Sequence, residues 1–186
     1  TQEIGTGVRR AALGSTNVVV SLPDSGTDPV TVGIESGDLV VSLGGNVVQR
    51  VSLAYVETLT VSGTDGADDV TIDFGDPGAV SIDSVTVETG AGNDEVVISG
   101  LAESLASIFV IDVGAGDDLV DGRLSLASLT VLGGAGGDTL HGGSGDDVMD
   151  GGDGSDMVRG NAGRDTLSGN AGDDFLYGGS QADFLQ

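Results

Sequence analysis

The chain has 186 residues, with 30 acidic side chains against 6 arginines and no lysine, for a net charge of −24. That balance argues against nucleic acid or an anionic membrane surface as a partner and in favour of a cation. Cysteine is absent, which excludes disulfides and thiolate metal sites, and no apolar run approaches the roughly 18 residues of a membrane-spanning helix, so no membrane insertion is expected. A hydrophobic fraction of 38% with only 3% aromatics is carried mainly by valine, leucine and alanine, a composition suited to a thin β core.

In chain order, residues 1–35 contain two strand-like runs, Val18-Val19-Val20 and Val30-Thr31-Val32. An open first coil of a solenoid would expose its core and strand edges, so this segment is expected to act as an N-terminal cap. Gly37-Asp38-Leu39-Val40 reads as a degenerate solenoid turn.

Residues 36–132 repeat a Gly-to-Asp turn at wide spacing: GTDGADDVT (63–71), TGAGNDEVV (89–97) and VGAGDDLVD (113–121). Alternating runs precede these turns, among them Leu59-Thr60-Val61, Val85-Thr86-Val87 and Ile108-Phe109-Val110-Ile111. Alternation bounded by Gly and Asp is the signal of a half-buried strand. The equivalent aspartates, Asp68, Asp94, Asp118 and Asp138, are separated by 26, 24 and 20 residues, so the coil shortens toward the C-terminus. No sustained helical periodicity occurs; Ala102-Glu103-Ser104-Leu105-Ala106 has room for one short helical turn at most.

Residues 133–186 carry six contiguous nonapeptides: GGAGGDTLH, GGSGDDVMD, GGDGSDMVR, GNAGRDTLS, GNAGDDFLY and GGSQADFLQ. Aspartate recurs at the sixth position as Asp138, Asp147, Asp156, Asp165, Asp174 and Asp183. The eighth position is Leu140, Met149, Val158, Leu167, Leu176 and Leu185, an inward apolar column if each unit is a turn followed by a short strand. One coil then takes two units, 18 residues, which places Asp138, Asp156 and Asp174 on one side and Asp147, Asp165 and Asp183 on the other. Neighbouring coils lie about 4.7–4.9 Å apart, and each like-charge pair at that distance costs about 1 kcal/mol even in water-like dielectric.

These copies follow the Ca²⁺-binding consensus G-G-x-G-x-D-x-U-x, and the run resembles the repeats-in-toxin (RTX) family of calcium-binding β-rolls. The fold class expected is all-β, a parallel β-roll or β-helix solenoid whose longer N-terminal coils tighten to 18-residue RTX coils. A hard dication between turns removes the carboxylate repulsion and takes both carboxylates plus turn carbonyls, within the six to eight oxygens that calcium prefers. Four repeat-internal pairs are expected to bind calcium, 138/156, 156/174, 147/165 and 165/183, the last altered by Gln181 where glycine is expected. The resemblance implies carbonyl ligands from Gly133, Gly134, Gly136, Gly142, Gly143, Gly145, Gly151, Gly152, Gly154, Gly160, Asn161, Gly163, Gly169 and Gly172. Asp94 and Asp118 are expected to continue one column only, with further calcium there and none on the opposite side before Asp147. A lone Gly-Asp turn is better explained as a tight turn with a solvated cap, six in register are not, and for Asp68 and Asp94 that reading stays open. The spare acids Asp117, Asp146, Asp153 and Asp173 read as solvated surface, His141 as solvent-facing, and Arg159 and Arg164 as offsetting local negative charge.

No catalytic residue is expected. An acid–base enzyme on a β-helix needs a groove that holds carboxylates with lysine, arginine, histidine or tyrosine proton carriers, and here the arginines are scattered over different repeat positions. The resemblance implies a module that folds on calcium outside the cell, with type I secretion machinery as a partner, in a secreted or surface protein of which this chain reads as a piece. The alternative is a glycan-binding or adhesive accessory module with polysaccharide as partner, or part of a polysaccharide-modifying β-helix enzyme.

Overall fold

In the computed structural model, residues 2–4, 8–10, 17–22, 29–52, 56–75, 82–100 and 106–186 are described. Burial alternates along the strands as the sequence alternates: Leu59 and Val61 are fully buried while Thr58, Thr60 and Ser62 face outward. Two sheets result. One runs in the order β1 (Gln2–Ile4), β2 (Val8–Arg10), β3 (Asn17–Ser21), β7 (Thr58–Ser62), β9 (Ile82–Glu88), β11 (Ala106–Asp112), β13 (Thr130–Ala135), β15 (Val148–Asp153), β17 (Thr166–Ala171), β19 (Phe184–Leu185). The other runs β18 (Phe175–Ser180), β16 (Met157–Ala162), β14 (Thr139–His141), β12 (Leu119–Asp121), β10 (Glu95–Ser99), β8 (Asp69–Asp73), β4 (Val30–Glu35), β5 (Asp38–Leu43), β6 (Asn46–Ser52).

From β3 and β4 onward, strands of successive coils pair in parallel and in register, as in Leu119↔Thr139 and Thr139↔Met157. The chain alternates between the sheets, so the fold is an all-β parallel solenoid, a β-roll in its C-terminal part. One continuous apolar core lies between the sheets, from Val18 through Val85, Ile111 and Leu140 to Leu167. Of the eighth-position residues, Leu140, Met149, Val158 and Leu167 are fully buried, Leu176 is partly buried, and Leu185 is 44% exposed on the last coil.

At the N-terminal ends of both sheets the pairing becomes antiparallel. β1 and β2 add to β3, and β5 and β6 add to β4, which itself pairs in parallel with β8. Gly37-Asp38-Leu39-Val40 is therefore a hairpin and not a solenoid turn. Ser36 and Gly37, at φ 53° and 86°, link Glu35 to its partner Asp38. Two central residues at positive φ match the right-handed twist of the flanking strands, which is why a short hairpin forms there. Of the segment read as a helical turn, residues 102–105 lie outside the described residues, and Ala106 begins β11.

Candidate metal centre

Each sixth-position aspartate sits immediately before a strand, at the end of a Gly-rich turn. Asp68, Asp94, Asp118, Asp138, Asp156 and Asp174 precede β8, β10, β12, β14, β16 and β18, forming one column along one sheet; Asp147, Asp165 and Asp183 precede β15, β17 and β19, along the other. The upstream turns thus continue only the first column.

Hydrogen bonds knit each column. The backbone N–H of Asp68 donates to Asp94 Oδ1, Asp94 N–H to Asp118 Oδ1, and Asp118 N–H to Asp138 Oδ1, at 2.8, 2.8 and 2.9 Å. Asp138 N–H then donates to Asp156 Oδ1 and Asp156 N–H to Asp174 Oδ1, at 2.9 and 3.0 Å. In the second column Leu129 N–H donates to Asp147 Oδ1, Asp147 N–H to Asp165 Oδ1 and Asp165 N–H to Asp183 Oδ1, at 2.8, 2.9 and 3.0 Å. The aspartate spacing points to the stacking; it carries no sign of which oxygen bonds where.

The second carboxylate oxygen has a different fate. Oδ2 of Asp94, Asp118, Asp138, Asp156 and Asp165 is buried and has no hydrogen-bond partner. At the head of each column it is closed: Asp147 Oδ2 accepts from Gly143 N–H and Asp68 Oδ2 from Thr64 N–H, both at 2.8 Å. Burial pushes the carboxyl groups of Asp138 and Asp147 up to about 6, with the neighbouring carboxylates adding to the shift. Burial likewise raises Asp68, Asp118, Asp156 and Asp165 above the ordinary aspartate value. An anion removed from water without a compensating charge is the reason.

Glycines make room for these oxygens. A Cβ on Gly133 would lie 2.5 Å from Asp138 Oδ2 and collide with Gly151 O; one on Gly142 would collide with Asp147 Oδ2 and come within 2.8 Å of Gly160 O. Gly151, Gly160, Gly169 and Gly178 face Asp156, Asp165, Asp174 and Asp183 in the same way. At the first position of each nonapeptide, then, a carboxylate oxygen occupies the place of a side chain. At Gly133 and Gly142 a carbonyl of the next coil converges on that place.

Other turn positions are crowded by backbone. A Cβ on Gly134, Gly136, Gly152, Gly154, Gly163 or Gly172 would strike the carbonyl of the equivalent residue one coil earlier, and one on Gly143 or Gly145 would strike Ser125 or Ala127 and Ser128. Asn161 takes φ 74° at the second position, and its Nδ2 donates to Gly142 O at 2.8 Å, so that carbonyl already has a partner. Gln181 adopts φ 81° where glycine is usual, and the Asp165–Asp183 bond still forms.

Among the described residues no group of three or more His, Cys, Asp or Glu side chains converges as a metal cluster. A cation at these turns would therefore be held by few carboxylates and several carbonyls. Orphaned buried carboxylate oxygens beside turn carbonyls form an oxygen-only donor set that fits a hard dication such as calcium.

Neighbouring polar residues complete the picture. Asp117 and Asp146 are exposed, but their Oδ1 atoms accept from Gly137 N–H and Arg164 N–H at 2.9 and 2.8 Å, a second outer ladder that residue types alone do not reveal. Arg164 also pairs with Asp146 at 3.2 Å, offsetting charge as expected, whereas Arg159 lies over the Phe175 ring, 6.0 Å from its centroid. His141 is half-buried instead of solvent-facing, and burial together with Arg123 holds its pKa below the ordinary histidine value.

Residues 130–158 and 150–185 match the RTX calcium-binding nonapeptide repeat, in 4 copies. No curated protein and no solved structure matches the chain. Residues 130–185 are thus similar to RTX repeats, a calcium-binding nonapeptide repeat.

Proposed function

We propose that residues 133–186 form a calcium-dependent folding module that orders outside the cell and supports the secretion and folding of a larger secreted or surface protein. The observation that carries this reading is the row of buried, unpartnered Oδ2 atoms at Asp138, Asp156 and Asp165. Without a cation these carboxylates repel one another, and their Oδ2 atoms lack both water and donors. The ligands would come from Asp138, Asp147, Asp156, Asp165, Asp174 and Asp183 together with turn carbonyls. Bound calcium supplies the positive charge that lets adjacent turns stack; the chain's own aspartates hold the coils in register through Oδ1.

Extracellular calcium modules bind at about 10⁻⁴–10⁻³ M. At tenfold that concentration each site adds about 1.4 kcal/mol, so four sites contribute about 6 kcal/mol, comparable with the 5–15 kcal/mol stability of an ordinary domain. In a low-calcium cytosol the module stays unfolded and passes through a type I secretion channel; outside, metal binding is folding. A calcium titration followed by circular dichroism and small-angle scattering, with EGTA and magnesium controls, tests this. A gain of β signal and compaction on calcium alone is expected, and unchanged compactness in EGTA would remove the proposal.

A second reading, a polysaccharide-binding accessory role, is favoured by one observation. Phe175 and Tyr177, 54% and 55% exposed, stand on the outer face of β18 beside Met157 and Arg159 of β16. Aromatic faces next to arginine suit sugar rings with acidic groups. Loss of glycan-array binding in Tyr177→Ala would support it; no binding by the wild type would end it.

A further inference from the structure

The repeat match begins at residue 130, yet the first aspartate column enters it already formed. Asp94 and Asp118 are 2% and 3% exposed, and each has a buried Oδ2 without a partner. Each Oδ1 accepts the N–H of the preceding aspartate, as in the nonapeptides. The turns are alike too. Gly90, Gly92, Gly114 and Gly116 take φ of 108°, 128°, 91° and 147°, against 104°, 130°, 107° and 149° for Gly134, Gly136, Gly152 and Gly154. Beside Asp94 opens a cleft of about 350 Å³, lined mainly by Asp68, Asp69, Asn93, Asp94 and Glu95 and by no cationic side chain.

We propose that the wide coils hold dications of the calcium class at Asp94 and Asp118, outside the nonapeptide block, in a single column that ends at Asp68. This rests on the calcium reading above and extends it to a different part of the chain. The end is set by hydrogen bonding: Asp68 Oδ2 accepts from both Thr64 N–H at 2.8 Å and Thr64 Oγ1 at 3.4 Å, whereas Asp147 Oδ2, at the head of the other column, accepts a single bond from Gly143 N–H. The first position of the upstream turns is Thr89 or Val113 instead of glycine, and Thr89 Oγ1 donates to Val113 O at 2.9 Å. That carbonyl is engaged, so an ion at this step relies on the other turn carbonyls and on water to complete its six to eight oxygens.

The test counts ions on the full chain by native mass spectrometry at saturating calcium, for wild type, Asp94→Asn/Asp118→Asn and Asp68→Asn. Asparagine keeps an oxygen acceptor for the ladder bond, and far-UV circular dichroism in calcium checks the fold. The double variant should bind two ions fewer than wild type, and Asp68→Asn as many as wild type. An unchanged count in the double variant, or an equal loss in Asp68→Asn, overturns the proposal. Should the double variant not fold, anomalous diffraction from calcium-grown wild-type crystals decides: ions beside Asp94 and Asp118 support the upstream sites, and ions confined to 133–186 refute them. Wild type that binds no calcium at all would instead refute the function proposed for the nonapeptides.

Discussion

The backbone N–H of Asp138 donates to Oδ1 of Asp156, 18 residues later, at 2.9 Å, while Asp156 Oδ2 is buried with no partner. One carboxylate thus performs two tasks on two oxygens. Oδ1 ties a coil to its neighbour, and Oδ2 leaves a negative charge that the protein itself does not neutralise.

Substituting Asp156 separates the two tasks. Asp156→Asn keeps an oxygen for Asp138 N–H but removes the charge, so its thermal stability should fall in calcium and change little or rise in EGTA. Asp156→Ala also orphans a buried N–H, at a cost of about 1–3 kcal/mol wherever the roll is folded. Melts of both variants with and without calcium check this, and equal losses for Asn in the two conditions would contradict it.

Calcium removal should act unevenly along the chain. The N-terminal coils bury Leu59, Val61, Val85, Val87, Phe109 and Ile111 between the sheets, an apolar core that should persist without metal. In EGTA, hydrogen exchange should accelerate across 133–186 and stay slow in 58–62 and 82–88. Uniform loss of protection, or none, would show that the solenoid does not divide this way.

The pH response of the metal-free protein follows from the raised carboxyls. Asp138 and Asp147 titrate at about 6 in the fold, pushed up first by burial, against about 3.8 for the ordinary group. A raised folded value favours the protonated form. Its contribution to stability is full below pH 3.8 and is lost as pH rises through about 6. In EGTA the roll should therefore be more ordered at pH 4 than at pH 7.5. With calcium present the trend reverses above pH 6, because protons and metal compete for the same oxygens. Circular-dichroism melts in EGTA across pH 4 to 7.5 measure the first effect, and a melting temperature that rises with pH would contradict it.

Adding one methyl at a first-position glycine should be costly. Gly133→Ala places Cβ 2.5 Å from Asp138 Oδ2 and into Gly151 O, so turn or carboxylate must move. A loss of about 1–3 kcal/mol is expected from overpacking, with weaker calcium binding. Gly45→Ala, where a Cβ meets nothing within 4 Å, is the control away from the aspartate columns. Calcium affinity should fall for Gly133→Ala and stay unchanged for Gly45→Ala, as read by isothermal titration.

Much of this arrangement is legible in the residues. The spacing of Asp68, Asp94, Asp118 and Asp138 followed by the nonapeptide aspartates matches the coil steps of 26, 24, 20 and 18 residues seen in the ladder. Leu140, Met149, Val158 and Leu167 point inward as their position predicts. Gly37-Asp38-Leu39-Val40 misleads, because a Gly-Asp pair before valines suits a hairpin as well as a solenoid turn. The difference lies in β5 choosing β4 as an antiparallel neighbour, and alternation records a strand's face without recording its partner.

The sequence alone determined the period, the two sides on which the aspartates fall and the residues that form the core, because these depend on counting positions along a regular coil. Only the tertiary structure decided which carboxylate oxygens are bonded and which are left over. It also decided that Asp68 and Asp147 are closed by their own turns, and that antiparallel strands flank the first coil in both sheets. Those features depend on which backbone donors stand within reach across coils, a matter of packing between segments distant in sequence, where residue spacing carries no information.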